Sequence, residues 1–378
     1  KVAWIFNTGD ADTLKNRTQI QCNPLIIDGI LYRSSPQLKF FALDAATGEQ
    51  LWLFDSFKEE AYKSFGMGVN RGLTYWSNGT EERLLVTAGP NLYAINAKTG
   101  DLFKDFGNNG SVDLHEGLGR DVEGLFINSN TPGIIYKDKL ILGSRVSEAG
   151  GKGAVPGHIR AFNVQSGAQE WIFHTIPQPD EFGYDTWPVA AWQYVGGANV
   201  WAGFSLDEER GIVYAPTGSA SFDFYGGDRA GENLFANTLL ALDANTGERL
   251  WHYQTVHHDI WDRDLPAPPN LVTVEHDGKK IDAVAQITKS SYIFLFDRVT
   301  GEPLFPIEEV PVMQSTLDGE QAWATQPIPT KPAPFSRTHV AESDLTRRTP
   351  EAYQYVKARF DTIRNGEYFV PPSEEGSI

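Results

Sequence analysis

The sequence contains a single cysteine, Cys22, among 378 residues. No disulfide can therefore form within the chain, and cysteine content gives no indication of the compartment. No run of 18 apolar residues occurs, so no segment of the sequence is long enough to span a bilayer as a helix. The Cys-x-x-Cys-His signature is also missing, which excludes a c-type haem attached within these residues.

Basic residues are scarce relative to acidic ones. The sequence has 32 Lys and Arg against 49 Asp and Glu, a formal net charge of −17. Such a surface repels the phosphates of nucleic acids and anionic lipids, so neither is expected as a partner. The chain begins with Lys1 and shows no signal peptide, which we interpret as a processed or trimmed product.

Five segments repeat one pattern, which we call the tag. Each has a short apolar strand, then an Asp or Asn, then Thr-Gly or Ser-Gly, and closes on an aromatic residue. The tags are residues 42–52, 94–103, 161–171, 241–251 and 295–305. The Asp or Asn side chain can close its own turn, and glycine can adopt the positive φ that a hairpin requires. The closing aromatic can pack one repeat on the next.

The repeats predict the fold class. Strand–turn–strand patterns precede three of the tags, at residues 24–32, 133–142 and 205–214, so a unit is expected to have four antiparallel strands. Four-stranded units stacked through aromatic residues indicate an all-β β-propeller with tryptophan-docking-type repeats. We expect the blades over residues 1–305, then a Pro-rich connection and short helix over 306–378, as a single domain. The helical pattern runs from Pro350 to Ile363, and Asn365-Gly366 supplies its stop.

A family resemblance rests on the tags, on Ser219 after Thr217-Gly218, on the run His-His-Asp-Ile-Trp-Asp-Arg-Asp-Leu-Pro from His257 to Pro266, and on Lys289. Over essentially its whole length the chain resembles the quinoprotein dehydrogenases, eight-bladed propellers that carry pyrroloquinoline quinone (PQQ). The resemblance implies oxidation of an alcohol or sugar in the periplasm, with PQQ on the propeller axis beside Ca²⁺. It also implies further blades. The chain is then about five blades of an incomplete eight-bladed ring, which the rest of the gene product or a second chain completes.

The resemblance assigns two catalytic residues. Asp262 matches the carboxylate that takes the substrate hydroxyl proton, and Lys289 matches the basic residue beside the quinone oxygens. From the residues alone, the favoured interpretations are a turn-capping aspartate for Asp262 and an exposed strand lysine for Lys289. Asp259 and Asp264 are interpreted as capping or supporting carboxylates.

The resemblance also implies the cofactor and metal contacts. Arg71 matches a contact to a PQQ carboxylate, Thr131 is a candidate for a hydroxyl contact with the cofactor, and Trp201 matches the floor on which the ring system stacks. Without the resemblance, Trp201 is an ordinary blade-packing residue. Glu148, Ser219 and Asp262 match the Ca²⁺ ligands. Glu148 is otherwise a solvated loop acid, and Ser219 stands where alcohol-oxidising members have asparagine, which leaves the metal identity open.

Two departures leave the substrate open. Phe65-Gly66 replaces the vicinal cysteine pair of alcohol-oxidising members, and Trp76 replaces a histidine of glucose-oxidising members. The expected function is a PQQ- and metal-dependent dehydrogenase of an alcohol, polyol or aldose, passing electrons to a quinone or a cytochrome c. The alternatives are a non-catalytic propeller scaffold of the outer-membrane assembly type, which needs neither Asp262 nor Lys289, and a quinoprotein that has lost turnover.

Overall fold

The tags form the turns of antiparallel sheets in the computed structural model, which describes residues 1–15, 18–57, 69–147, 153–366 and 369–377. These residues group into two compact units. The first unit comprises Lys1–Val146, His158–Phe173 and Ala244–Gly247, and the second comprises Ser147–Gly157, His174–Asp243 and Glu248–Ile378.

The first unit contains three four-stranded antiparallel sheets and one short strand pair. The first sheet is formed by β1 (Leu25–Ile27), β2 (Ile30–Ser34), β3 (Lys39–Asp44) and β4 (Gln50–Asp55). The second sheet is formed by β5 (Thr74–Ser77), β6 (Glu82–Ala88), β7 (Asn91–Asn96) and β8 (Ser111–Asp113). β9 (Ile127–Asn128) pairs with β12 (Arg145–Val146), and the third sheet is formed by β10 (Ile134–Tyr136), β11 (Lys139–Leu142), β13 (Ile159–Asn163) and β14 (Gln169–Phe173).

The second unit contains a four-stranded, a three-stranded and a two-stranded antiparallel sheet. The fourth sheet is formed by β15 (Ser205–Asp207), β16 (Ile212–Pro216), β17 (Thr238–Asp243) and β18 (Arg249–Gln254). The fifth is formed by β19 (Asn270–His276), β20 (Lys279–Ile287) and β21 (Ile293–Asp297), and the last by β22 (Ile307–Pro311) and β23 (Thr325–Pro329). The fifth sheet differs from the predicted four strands. Pro303 lies in the fourth-strand position and makes only an isolated bridge to Phe296, because proline has no N–H to continue a ladder.

The second tag also departs from the pattern. Its Leu102 makes only an isolated bridge to Ile95, and the fourth strand of that sheet is β8, which begins at Ser111. This tag closes on Phe103 rather than tryptophan, and the Arg83 guanidinium lies 3.8 Å from the centre of the Phe103 ring. The predicted helix is present as α1 (Pro350–Phe360), where the Thr349 hydroxyl accepts from Ala352 N at 3.1 Å as an N-cap. Within the described residues, no helix has both the length and the apolar character needed to cross a bilayer.

The tag turns have the predicted geometry. In the first tag, Asp44 Oδ1 accepts from the backbone N of Ala46 at 3.0 Å and of Thr47 at 2.8 Å. The tag glycines have φ between +73° and +80°. Tryptophans then dock on these turns through Nε1 and a backbone carbonyl: Trp4 to Ala45 (3.1 Å), Trp52 to Ala97 (2.9 Å), Trp171 to Ala244 (3.4 Å) and Trp251 to Arg298 (3.2 Å).

The docked tryptophans join the buried core. In the first unit, Trp52 packs with Tyr32 and Phe40. In the second unit, Trp251 packs with Phe294 and Phe296, which are almost completely buried. Burying an aromatic side chain of this kind stabilises the fold by about 1.5–3 kcal/mol.

Gly301 is expected to be intolerant of any side chain because the Trp251 ring covers it. A Cβ at Gly301 would lie 2.6 Å from Trp251 Cδ2, whereas Gly278, at nearly the same φ (+72° against +75°), has open space around it. Gly278→Ala should cost only the left-handed backbone penalty of about 1–2 kcal/mol. Gly301→Ala should add about 1–3 kcal/mol for the steric conflict. Urea unfolding of both variants checks this prediction, and equal losses would show that the tryptophan does not constrain the turn.

Candidate functional site

The loop between β18 and β19, residues 255–269, is built around the buried carboxylate of Asp259. Asp259 accepts from Trp261 N at 2.9 Å and from Arg263 N at 2.6 Å, and so holds the backbone on both sides of Asp262. The Ser219 hydroxyl and the Asn237 amide (2.7 Å) also donate to it. Burial raises the pKa of Asp259. Asp262 adopts a φ of +57°, unusual for a residue other than glycine.

Asp262 forms an ion pair with Lys289, the residue predicted to act beside it. Lys289 Nζ lies 2.7 Å from Asp262 Oδ1, and the two side chains are 31% and 35% exposed. Burial raises the pKa of Asp262 to about 6 and the negative charge of Asp264 adds to this, while Lys289 opposes it. A carboxylate with a pKa near 6 is ionised at neutral pH and is a stronger base than an ordinary aspartate.

Asp264 brings the remaining groups together. Its Oδ2 accepts from Lys289 Nζ at 2.9 Å and from Trp201 Nε1 at 3.2 Å, and its Oδ1 accepts from Ser219 N at 2.6 Å. Lys289 Nζ also lies 5.9 Å from the centre of the Trp201 ring. Burial opposes the charge of Lys289, but the carboxylates of Asp264 and Asp262 outweigh it and raise the pKa of the lysine.

The structure therefore places Trp201, Ser219, Asp262 and Lys289 in one cluster, although they are far apart in the sequence. The aromatic face, the cation and the partly exposed carboxylate fit a planar cofactor with anionic groups and a substrate hydroxyl beside it.

Of the predicted metal ligands, the structure describes Ser219 and Asp262 but not Glu148. Ser219 Oγ donates to Asp259 and accepts from Asn237 Nδ2 at 3.2 Å, and Asn237 Oδ1 is buried there without a hydrogen-bond partner. Glu148 lies outside the described residues, as does Phe65. In the part of the chain that is described, no three His, Cys, Asp or Glu side chains form a group that could hold a metal. The described residues do not by themselves make a Ca²⁺ site.

Arg71 and Thr131 belong to the first unit and contact each other there. Arg71 Nη1 donates to Thr131 Oγ1 at 3.1 Å, and Arg71 N donates to Asn130 O at 2.7 Å. Burial lowers the pKa of Arg71, and the positive charge of Arg145 adds to the effect. Two neighbouring guanidinium groups in a half-buried setting favour an anion such as a carboxylate.

Sequence reasoning did not identify Asn237 or Arg229, which support the loop from within. Arg229 is almost completely buried and donates to Asn233 Oδ1 at 2.8 Å, to Phe222 O at 2.8 Å and to Asp259 O. No local pattern marks either residue, because their partners lie on distant segments.

Comparison with known proteins identifies the family. All 378 residues match the family model described as the β-propeller domain of PQQ-dependent glucose, ethanol and alcohol dehydrogenases. The chain belongs to the PQQ-dependent dehydrogenase family. It is 32% identical over its whole length to the quinate/shikimate dehydrogenase (quinone) of Acinetobacter baylyi, covering 49% of that protein. It is 31% identical, again over its whole length, to quinoprotein glucose dehydrogenase A of Acinetobacter calcoaceticus, covering 50% of that protein.

A solved structure agrees with this assignment. The quinohemoprotein alcohol dehydrogenase ADH-IIG of Pseudomonas putida superposes with a TM-score of 0.63 at 26% identity, over 78% of this chain and 43% of that one. The predicted family and the all-β, propeller-type fold are thus confirmed. The chain spans about half the length of the PQQ-dependent relatives it matches.

Proposed function

We propose that the full-length protein is a PQQ-dependent dehydrogenase that oxidises a secondary or primary hydroxyl of a polyol, aldose or related alcohol in the periplasm. The observation that carries the proposal is the Asp262–Lys289 ion pair beside Trp201. Relatives named for quinate or shikimate, glucose and glycerol support a polyhydroxylated substrate. Electrons would leave to a quinone or a cytochrome c, and the remaining blades would come from the rest of the gene product or a second chain.

When bound, PQQ supplies the two-electron acceptor that oxidation of an alcohol to a carbonyl requires. Trp201 would form the aromatic face beneath it. In the family resemblance, Arg71 corresponds to a contact to a PQQ carboxylate and Thr131 to a hydroxyl contact with the cofactor. The Lys289 ammonium supplies positive charge where negative charge accumulates during reduction. Asp262 accepts the proton of the substrate hydroxyl on its carboxylate, and Lys289 keeps that carboxylate oriented through Oδ1.

For the metal, we propose a Ca²⁺ ion held by Glu148, Ser219 and Asp262. Calcium requires six to eight oxygen ligands, so backbone carbonyls and water would have to complete this set. Because the described residues do not form the site alone, no catalytic step is assigned to the metal.

Reconstitution tests the proposal. The purified full-length protein, freed of cofactor, should reduce an artificial dye with glucose, quinate, glycerol or ethanol only after PQQ is added. Chelation by EDTA should remove this activity and Ca²⁺ should restore it. Absence of oxidation with every substrate, together with no change in PQQ absorbance on mixing, would instead favour the non-catalytic scaffold.

A further inference from the structure

Asp264 lies within the cluster, but the proposed chemistry gives it no role. The residue is 8% exposed, and its carboxylate accepts hydrogen bonds from three different segments of the chain: the backbone of Ser219, the indole of Trp201 and the ammonium of Lys289. Its two oxygens are thus occupied by donors from the protein itself. Asp264 therefore differs from Asp262, whose side chain is 35% exposed.

The backbone is shaped to admit this carboxylate. A Cβ on Gly218 would lie 2.6 Å from Asp264 Oδ1 and 3.2 Å from its Cγ. Any side chain at position 218 would therefore displace Asp264 from the Ser219 amide. Only glycine allows this close approach, which holds the Asp264 carboxylate against the segment just after β16.

Lys289 needs this second partner. The Lys289 side chain has four flexible methylene groups, and a single ion pair to a partly exposed carboxylate contributes little to holding such a chain. The ammonium lies 2.7 Å from Asp262 and 2.9 Å from Asp264, and Asp264 supplies the oxygen that other segments of the chain hold in place. Since Asp264 also holds the Trp201 indole, one carboxylate sets the positions of both the aromatic face and the cation.

We propose that Asp264 is a positioning residue of the dehydrogenase. It holds Lys289 and Trp201 in place beside the base Asp262 and so preorganises the PQQ-binding surface. This inference rests on the proposed function. It assigns Asp264 no contact with the substrate and no proton transfer. Its effect on the reaction passes through Lys289 and Trp201.

Asp264→Asn in the full-length protein tests the inference, because it removes the charge and keeps the shape of the side chain. PQQ titrated into the cofactor-free variant and followed by tryptophan fluorescence should show a Kd at least about tenfold higher than in the wild type, since the ion pair with Lys289 is replaced by a weaker hydrogen bond to an uncharged amide. At saturating PQQ, kcat should fall by about tenfold or more while the KM for substrate changes little.

Asp207→Asn is the matched control. Asp207 is a carboxylate of the same unit, 6% exposed, and it accepts from Arg210 Nη1 at 2.8 Å and Arg298 Nη1 at 3.1 Å, away from the cluster. It should lower the Tm without changing the Kd for PQQ or kcat. If Asp264→Asn only lowers the Tm in the same way, the positioning role is wrong.

Gly218→Ala is the second variant, for the case that Asp264→Asn does not fold. It keeps every charge and displaces the Asp264 carboxylate through the added Cβ, and it should raise the Kd for PQQ in the same direction. An unchanged Kd in the folded Gly218→Ala protein overturns the inference. A wild-type protein that neither binds PQQ nor oxidises an alcohol contradicts the proposed function itself, which separates the two failures.

Discussion

Replacing Asp262 by asparagine should reduce kcat by roughly 10²–10⁴-fold while leaving the Kd for PQQ within a few-fold of the wild-type value. The amide is nearly isosteric with the carboxylate and can still contact Lys289, but it cannot accept the hydroxyl proton. Steady-state dye reduction with a saturating substrate, together with PQQ titration of the cofactor-free protein, measures the two quantities separately.

Asp282→Asn is a close control for this substitution. Asp282 is also paired with a cation at 2.7 Å, in this case Arg210, and its side chain is 37% exposed against 35% for Asp262. It should leave kcat unchanged. If the Asp262 variant loses PQQ binding and turnover together, Asp262 supports the cofactor rather than accepting a proton.

The pH dependence of the wild type should follow from the same carboxylate. Since the pKa of Asp262 is raised to about 6, kcat/KM should be constant above that pH and fall as the pH decreases through it, because the base becomes protonated.

The second large effect is expected for Lys289→Gln. Removing the ammonium leaves the carboxylates of Asp262 and Asp264 close together without a counter-ion, and it removes the positive charge that we propose stabilises the reduced cofactor. We expect kcat to fall by about 10²–10³-fold, the range found when one electrostatic donor is removed from an active site, and the Kd for PQQ to rise. Stopped-flow measurement of substrate-driven PQQ reduction isolates this step from dye reduction.

Lys139→Gln provides the comparison. Lys139 pairs with Glu170 at 2.8 Å and its side chain is only 16% exposed, so this substitution also breaks a sheltered lysine–carboxylate pair. It should affect stability alone. Equal kinetic behaviour of the two variants would contradict a catalytic role for Lys289.

The sheets were largely predictable because their determinants are local. The Asp44 turn, the positive φ of Gly48 and the docking of Trp52 all follow from residue types at fixed spacing within a tag. The exceptions are also local in origin. Pro303 removes the fourth strand of one sheet, and a proline in that position of a tag is itself a sequence signal against a ladder strand.

The candidate site was predictable only through the family resemblance. No spacing rule connects Trp201, Asp262 and Lys289, and the ion pair joins residues of different loops. A supporting role for Asp264 was inferred from the sequence, but its partners and its contact with Gly218 were not. A close approach of a carboxylate to a backbone depends on tertiary packing and leaves no periodic signal.

We propose that Trp201, Asp262 and Lys289 form the surface on which PQQ and substrate meet. A crystal structure of the full-length protein with PQQ bound tests it most directly. We expect the planar ring system in van der Waals contact with Trp201, with Lys289 Nζ hydrogen-bonded to a quinone oxygen and the Asp262 carboxylate beside it. PQQ bound elsewhere, with the Asp262–Lys289 pair intact and touching no part of it, would contradict the claim.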